Sequence, residues 1–203
     1  MAKARDLSAP PPPKARRSDS QAIVEAILQA AAELGTEAPV QDIAERAGVG
    51  VASVYRYFPG KDAIAAELGR RAYTAIVDAM RQALDAAETP DDAILACCAL
   101  ALEAPFSPDP VRRHVNTTVP FTWLGEAPER MFVELIELFT FASARWVDQP
   151  EEERRLRAHT AISMVRGVTH ARLLLPHLAP PLEDVLPMLQ TSLRACLGIQ
   201  PEI

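Results

Sequence analysis

From Ser18 onward apolar residues recur at three- and four-residue intervals, and the pattern predicts an all-α protein. Ile23, Ile27, Ala30, Ala31 and Leu34 mark one face of a first helix, opened by the capping-box pair Ser18 and Gln21 and ended by Gly35. Pro39 is expected at the first position of a second helix, where its missing N–H is not needed. Val40, Ile43, Ala44 and Ala47 then fall at i, i+3, i+4 and i+7, on one side of a helix about two turns long, and that side is core. At Gly48 the chain must turn sharply, through a positive φ that glycine adopts without a Cβ penalty. A third short helix follows from Val51 to Phe58. Val54, Tyr57 and Phe58 share its inner side, leaving Ala52, Ser53, Tyr55 and Arg56 on the other.

A long helix comes next. Ile64, Leu68, Ala72, Ala75, Ile76, Ala79 and Leu84 hold a helical period from Asp62 to Ala87, about 37 Å at about 1.5 Å per residue. Thr89-Pro90-Asp91-Asp92 combines a cap hydroxyl, a proline at the first position and carboxylates in the first turn, and predicts a helix over Ala93–Ala104 that is apolar almost all round and buried. Pro105, Pro108 and Pro110 break the chain. A short helix near Val111–Asn116 and a loop over Thr117–Ala127 are expected after them. Pro128 starts a helix whose face reads Met131, Phe132, Leu135, Leu138, Phe139, Ala142 and Trp146. Pro150 starts another, running to Leu174, and Leu182, Val185, Leu186, Leu189, Leu193 and Leu197 mark the last before Gly198. Pro187 either lies in the first turn of that helix or kinks it.

The expected organisation is therefore a Pro-rich arm over residues 1–17, a small helical domain over 18–68 and a larger helical domain over 69–203. The arm has no helical period, contains Pro10 to Pro13, and is expected to be disordered or polyproline II. No apolar run approaches the roughly 18 residues of a membrane span, and the basic start lacks the apolar centre of a signal peptide. A soluble, cytoplasmic protein with no membrane partner is expected.

Charge at first argues against a nucleic-acid partner, because the net charge is −6. Its distribution reverses that reading. Residues 1–70 hold nine Lys/Arg and nine Asp/Glu, whereas residues 71–203 hold twelve against eighteen, so the whole deficit lies in the second part. Phosphate binding depends on where the cations sit. Arg16 and Arg17 in the arm are candidates to reach phosphates or an adjacent minor groove, the alternative being a solvated tail.

A helix, a glycine turn and a second helix with a small, hydroxyl, aromatic and cationic outer face has the composition of a DNA-reading helix-turn-helix. Ala52 lies on that outer face. Ser53 can donate to phosphate or a base edge, and Tyr55 can place its hydroxyl on phosphate or its ring on a thymine methyl. Arg56 can make the bidentate contact with guanine O6 and N7. Tyr57 either reaches phosphate or only packs. Lys61, at the start of the fourth helix, can meet a phosphate together with the orphan N–H groups there. For Tyr55 the structural alternative is a ring covering the domain surface, and for Arg56 a solvated charge.

The string from Asp42 to Ile64, DIAERAGVGVASVYRYFPGKDAI, resembles the N-terminal DNA-binding domain of the TetR family of transcriptional regulators. The resemblance rests on Asp42-Ile43-Ala44, Ala47-Gly48-Val49, Val54-Tyr55, Tyr57-Phe58 and Lys61, and covers roughly Ser20 to Leu68. Pro39 and Gly50 depart from it, since both stand where Ser or Thr is usual. The resemblance implies a three-helix DNA-binding domain followed by a helical ligand-binding and dimerisation domain. It further implies a homodimer through the last two long helices that reads a palindromic operator in double-stranded DNA. The whole would be a repressor released by a small-molecule effector, with the long fourth helix carrying the signal. In such a protein Met131, Leu135 and Phe139 would help line an effector cavity, with Phe106, Phe121 and Trp123 as gatekeepers, and His114 or His170 could orient a polar ligand group; the alternatives are plain core for the helix face and structural or exposed histidines. The small residues Ala158, Ala161, Gly167, Ala171 and Ala195 allow close helix approach in the last two helices.

A helical ligand-binding or scaffold protein that keeps the fold without reading DNA is the alternative. An enzyme is not expected: the sequence has no HExxH, no Gly-rich phosphate loop and no readable nucleophile–base pair. No cofactor or metal is implied. Cys97 and Cys98 point about 100° apart on one helix, and they read as reduced, buried thiols rather than a disulfide or a redox sensor.

Overall fold

The computed structural model describes residues 18–35, 38–103 and 124–200, and among these it holds eight helices and no strand. The arm before Ser18, the expected short helix at Val111–Asn116 and the loop up to residue 123 lie outside the described residues. The chain gathers into two compact units. One comprises residues 18–73 with 124–128, and the other residues 74–103 with 129–200.

The first unit contains α1 (Ser18–Leu34), α2 (Val40–Arg46), α3 (Val51–Tyr57) and the beginning of α4 (Lys61–Ala86). Its core joins Val24, Ile27, Leu28 and Ala31 of α1 to Ile43 and Ala44 of α2, Val54 and Tyr57 of α3, Phe58, and Ala63 and Ile64 of α4. The inner face of α1 is thus rotated from the expected one. Val24 and Leu28 are buried, while Leu34 is exposed, because the stripe that meets α2 and α3 runs 24, 27, 28, 31. Leu124 is buried against Ala32, Leu68 and Tyr73.

In the second unit α5 (Pro90–Glu103) packs between two clusters. Its Ala93 and Cys97 join Val77, Met80 and Leu84 of α4 and Leu135, Leu138 and Ala142 of α6 (Ala127–Ser143). Its Ile94, Cys98 and Leu102 join Ala161 of α7 (Glu151–Leu174) and Leu189, Leu193 and Leu197 of α8 (Leu182–Leu197). The start of α5 is a reciprocal capping box. The Thr89 backbone N–H donates to the Asp92 carboxylate at 3.2 Å, and the Asp92 N–H donates to the Thr89 hydroxyl at 3.2 Å.

Several details depart from the sequence expectation. Val77 and Met80, rather than Ala75 and Ala79, form the core face of the second half of α4. Leu95 is exposed, so α5 is buried on two sides and not all round. Phe132 leaves the aromatic face of α6 and instead meets His159 edge-on at 5.4 Å, with the Arg166 guanidinium 5.6 Å from its ring. Pro187 is the sixth residue of α8, past the first turn, where its ring nitrogen cannot donate to the carbonyl one turn back.

Candidate nucleic-acid interface

The turn between α2 and α3 is built on Gly48, which takes φ +68°. At its entry the Val49 N–H donates to the Ala44 carbonyl at 3.0 Å and the Gly48 N–H to Glu45 at 3.1 Å, closing α2. Gly50, at φ −73° and ψ 147°, is the N-cap of α3, and its carbonyl accepts from Ser53 N and Val54 N. No side chain caps either short helix. Pro39 proves to be the N-cap of α2, not its first helical residue as expected, since the helix begins at Val40, and neither proline nor glycine has a side-chain acceptor to offer.

With α3 anchored by Val54 and Phe58, both fully buried, its opposite face is presented outward. Ala52 and Arg56 are exposed, Ser53 is half-buried, and Tyr55 is 53 % exposed. Tyr57 points the other way: at 8 % exposure it belongs to the core. Lys61 is the first residue of α4 and is exposed. Beside it the Gly60 carbonyl accepts from Ala63 N at 3.1 Å and from Ile64 N at 3.4 Å, closing the first turn of α4.

A further element holds α4 against α1, and the sequence reading did not find it. Both carboxylate oxygens of Glu25 accept from the Arg71 guanidinium, the Nη2 contact at 2.8 Å, and Glu67 accepts from Arg71 Nε at 3.1 Å and from Arg70 Nε at 3.0 Å. The hydrogen bond from Arg71 holds the Glu25 carboxyl below its usual pKa, and Arg71 is raised in turn. Glu25 and Arg71 are 46 residues apart, so no local spacing signals the pair. On α2, Arg46 is drawn to Glu33 of α1.

Met131, Leu135 and Phe139 share one packed cluster with Val77, Met80, Leu84 and Cys97. Phe106, Phe121, Trp123 and His114 lie outside the described residues. His170 is exposed on α7, its Nδ1 3.2 Å from the Arg166 carbonyl. Among the described residues no three His, Cys, Asp or Glu gather as a metal site, and no helix is long and apolar enough to cross a membrane.

Two short helices about a positive-φ glycine, braced by a third, define a helix-turn-helix domain, and a larger helical unit follows it. Residues 23–68 match the model of the bacterial regulatory proteins of the tetR family. Residues 23–68 thus form a tetR-family domain, and the chain has the fold of solved TetR-family regulators. A TetR-family transcriptional regulator from Streptomyces coelicolor superposes with a TM-score of 0.57 at 21% identity, over 87% of this chain and 98% of that one. The regulator FadR from Bacillus subtilis, crystallised with stearoyl-CoA, gives 0.55 at 14% identity, over 89% and 99%. NalD of Pseudomonas aeruginosa, the secondary repressor of the MexAB-OprM multidrug efflux pump, gives 0.57 at 22% identity, over 88% and 97%. No curated protein sequence matches this one.

Proposed function

We propose that the protein is a homodimeric repressor that binds a palindromic operator and leaves it when a small molecule occupies the C-terminal unit. The outward face of α3 carries this reading. Burial of Val54, Tyr57 and Phe58 leaves Ala52, Ser53, Tyr55 and Arg56 to enter a major groove. In this reading Arg56 reads guanine, Tyr55 and Ser53 contact phosphate or base edges, and Lys61 anchors one phosphate at the start of α4. Tyr57, being in the core, acts by holding α3 in place.

The effector acts by differential affinity for two states of the dimer, since a ligand with equal affinity for both shifts nothing. Met131, Leu135 and Phe139 are the proposed walls of its site, and their apolar chemistry suits an apolar ligand. The stearoyl-CoA held by the Bacillus subtilis FadR and the repressor role of NalD are in keeping with this reading.

The test is electrophoretic retardation of the gene's own upstream fragment, with and without Tyr55→Ala and Lys61→Ala. Binding that weakens steeply with salt and is lost in the variants supports the repressor. A protein that retards neither its own upstream fragment nor any genomic fragment would be a helical scaffold instead.

A further inference from the structure

Both α4 and α6 contribute residues to each of the two units. α4 gives residues 61–73 to the first and 74–86 to the second, and α6 is divided after Pro128. Within each unit the two segments are tied to each other. In the second, Val77, Met80 and Leu84 of α4 pack with Leu135, Leu138 and Ala142 of α6, and Arg145, just past the end of α6, donates to the Leu84 carbonyl at 2.6 Å. In the first, Leu124, just before α6, is 2 % exposed and packs against Leu68 and Tyr73 of α4 and Ala32 of α1.

A turn delivers Leu124 to that position. Gly125 takes φ +59° between Leu124 and α6, and a Cβ on it would meet no atom within 4 Å, so the glycine serves the backbone turn and not a close approach. Ala127, the first residue of α6, is buried as well. Packed apolar groups interlock in discrete arrangements and do not deform continuously. Leu124 seated on Ala32 and Leu124 withdrawn from it are two such arrangements.

We infer that Leu124 is a positioning residue of the effector response, tying the core around Leu135 and Leu138 to α1 by way of α6, in parallel with α4. An effector among Met131, Leu135 and Phe139 alters how α6 packs on α4, and a ligand with unequal affinity for the seated and withdrawn arrangements then shifts their balance. α1 feels the change at Ala32. The use of this coupling rests on the proposed repressor function, whereas the coupling itself is a property of the chain without DNA or ligand.

The test is amide exchange in residues 28–34 of α1, in the full chain without DNA or ligand, over the cycle of Leu138→Ala, Leu124→Ala and both. Leu138→Ala loosens the core of the second unit. With Leu124 present it is expected to speed exchange in α1 about fivefold or more, and with Leu124→Ala in place its added effect is expected to vanish. A side chain that only fills space would give independent, multiplicative effects, and that outcome overturns the proposal. An α1 indifferent to Leu138→Ala overturns it too. Leu124→Met, close in volume, is expected to keep the coupling, and its loss there would count against the proposal. Where Leu124→Ala lowers helical circular dichroism, Leu124→Val carries the same comparison. Retardation of the upstream fragment is measured separately: coupling without DNA binding overturns the repressor and leaves the coupling standing, and DNA binding without coupling does the reverse.

Discussion

Cys97 and Cys98 adjoin in sequence but enter different cores. Cys97 packs in the cluster of Val77, Met80, Leu84 and Leu135, and Cys98 in that of Leu102, Ala161, Leu189 and Leu193. Burial pushes Cys97 up to about 12 and Cys98 up to about 11, so both are thiols at neutral pH. A chromogenic disulfide reagent at pH 8 is therefore expected to modify at most the half-buried Cys196 in the folded protein and all three cysteines in denaturant. Because these acids ionise later in the folded state than in the unfolded one, their contribution is full below about pH 8.5 and declines as pH rises beyond it.

The Gln149 amide occupies the space that a Cβ on residue 198 would need, and Gly198 itself has φ +76° at the end of α8. Gly198→Ala is expected to cost about 1–3 kcal/mol in urea unfolding, combining left-handed strain with a clash. Gly48→Ala is the matched comparison. Its φ is also positive, but its surroundings are open, so about 1–2 kcal/mol of strain alone is expected.

On the outer face of the helix-turn-helix, Tyr55→Ala and Lys61→Ala should leave stability within about 0.5 kcal/mol, both side chains being exposed. Each is expected to weaken operator binding about tenfold or more in a titration. Lys61→Ala should also reduce the slope of log affinity against log salt by about 1, the signature of one lost phosphate contact.

Acid should loosen the tie between α1 and α4. The Glu25 carboxyl is held below its usual range by Arg71, so its contribution is present above the unfolded value of about 4.3 and is lost as pH falls through the folded one. Both partners are nearly half exposed, which limits the pair to roughly 0–1 kcal/mol at neutral pH. Urea titrations of Glu25→Gln and the parent should accordingly differ at pH 7 and converge as pH falls below the folded-state range of the carboxyl.

What the sequence made legible follows the range of each interaction. The α2 stripe, the positive φ at Gly48, the inward set Val54, Tyr57 and Phe58, and the Thr89 capping box all depend on residues within about two turns of one another. Periodicity alone could not choose between adjacent faces. It admitted Leu34, Ala75 and Ala79 to the core face, whereas neighbouring helices selected Val24, Leu28, Val77 and Met80. Phe132 was misplaced for the same reason, since the partners that turn it aside, His159 and Arg166, come from a different helix. The link between Glu25 and Arg71 has no sequence signature at all.

Pro39 and Gly50 leave α2 and α3 without a side chain at their starts, and both helices are only seven residues long. Helices so short draw little stability from themselves, and a missing cap is felt more in them than in a long one. An operator phosphate placed at either start would supply the acceptor that the sequence omits. The reading head would then be completed by what it reads: amide exchange in residues 40–57 should slow on operator DNA by more than the core packing of Ile43 and Val54 alone provides.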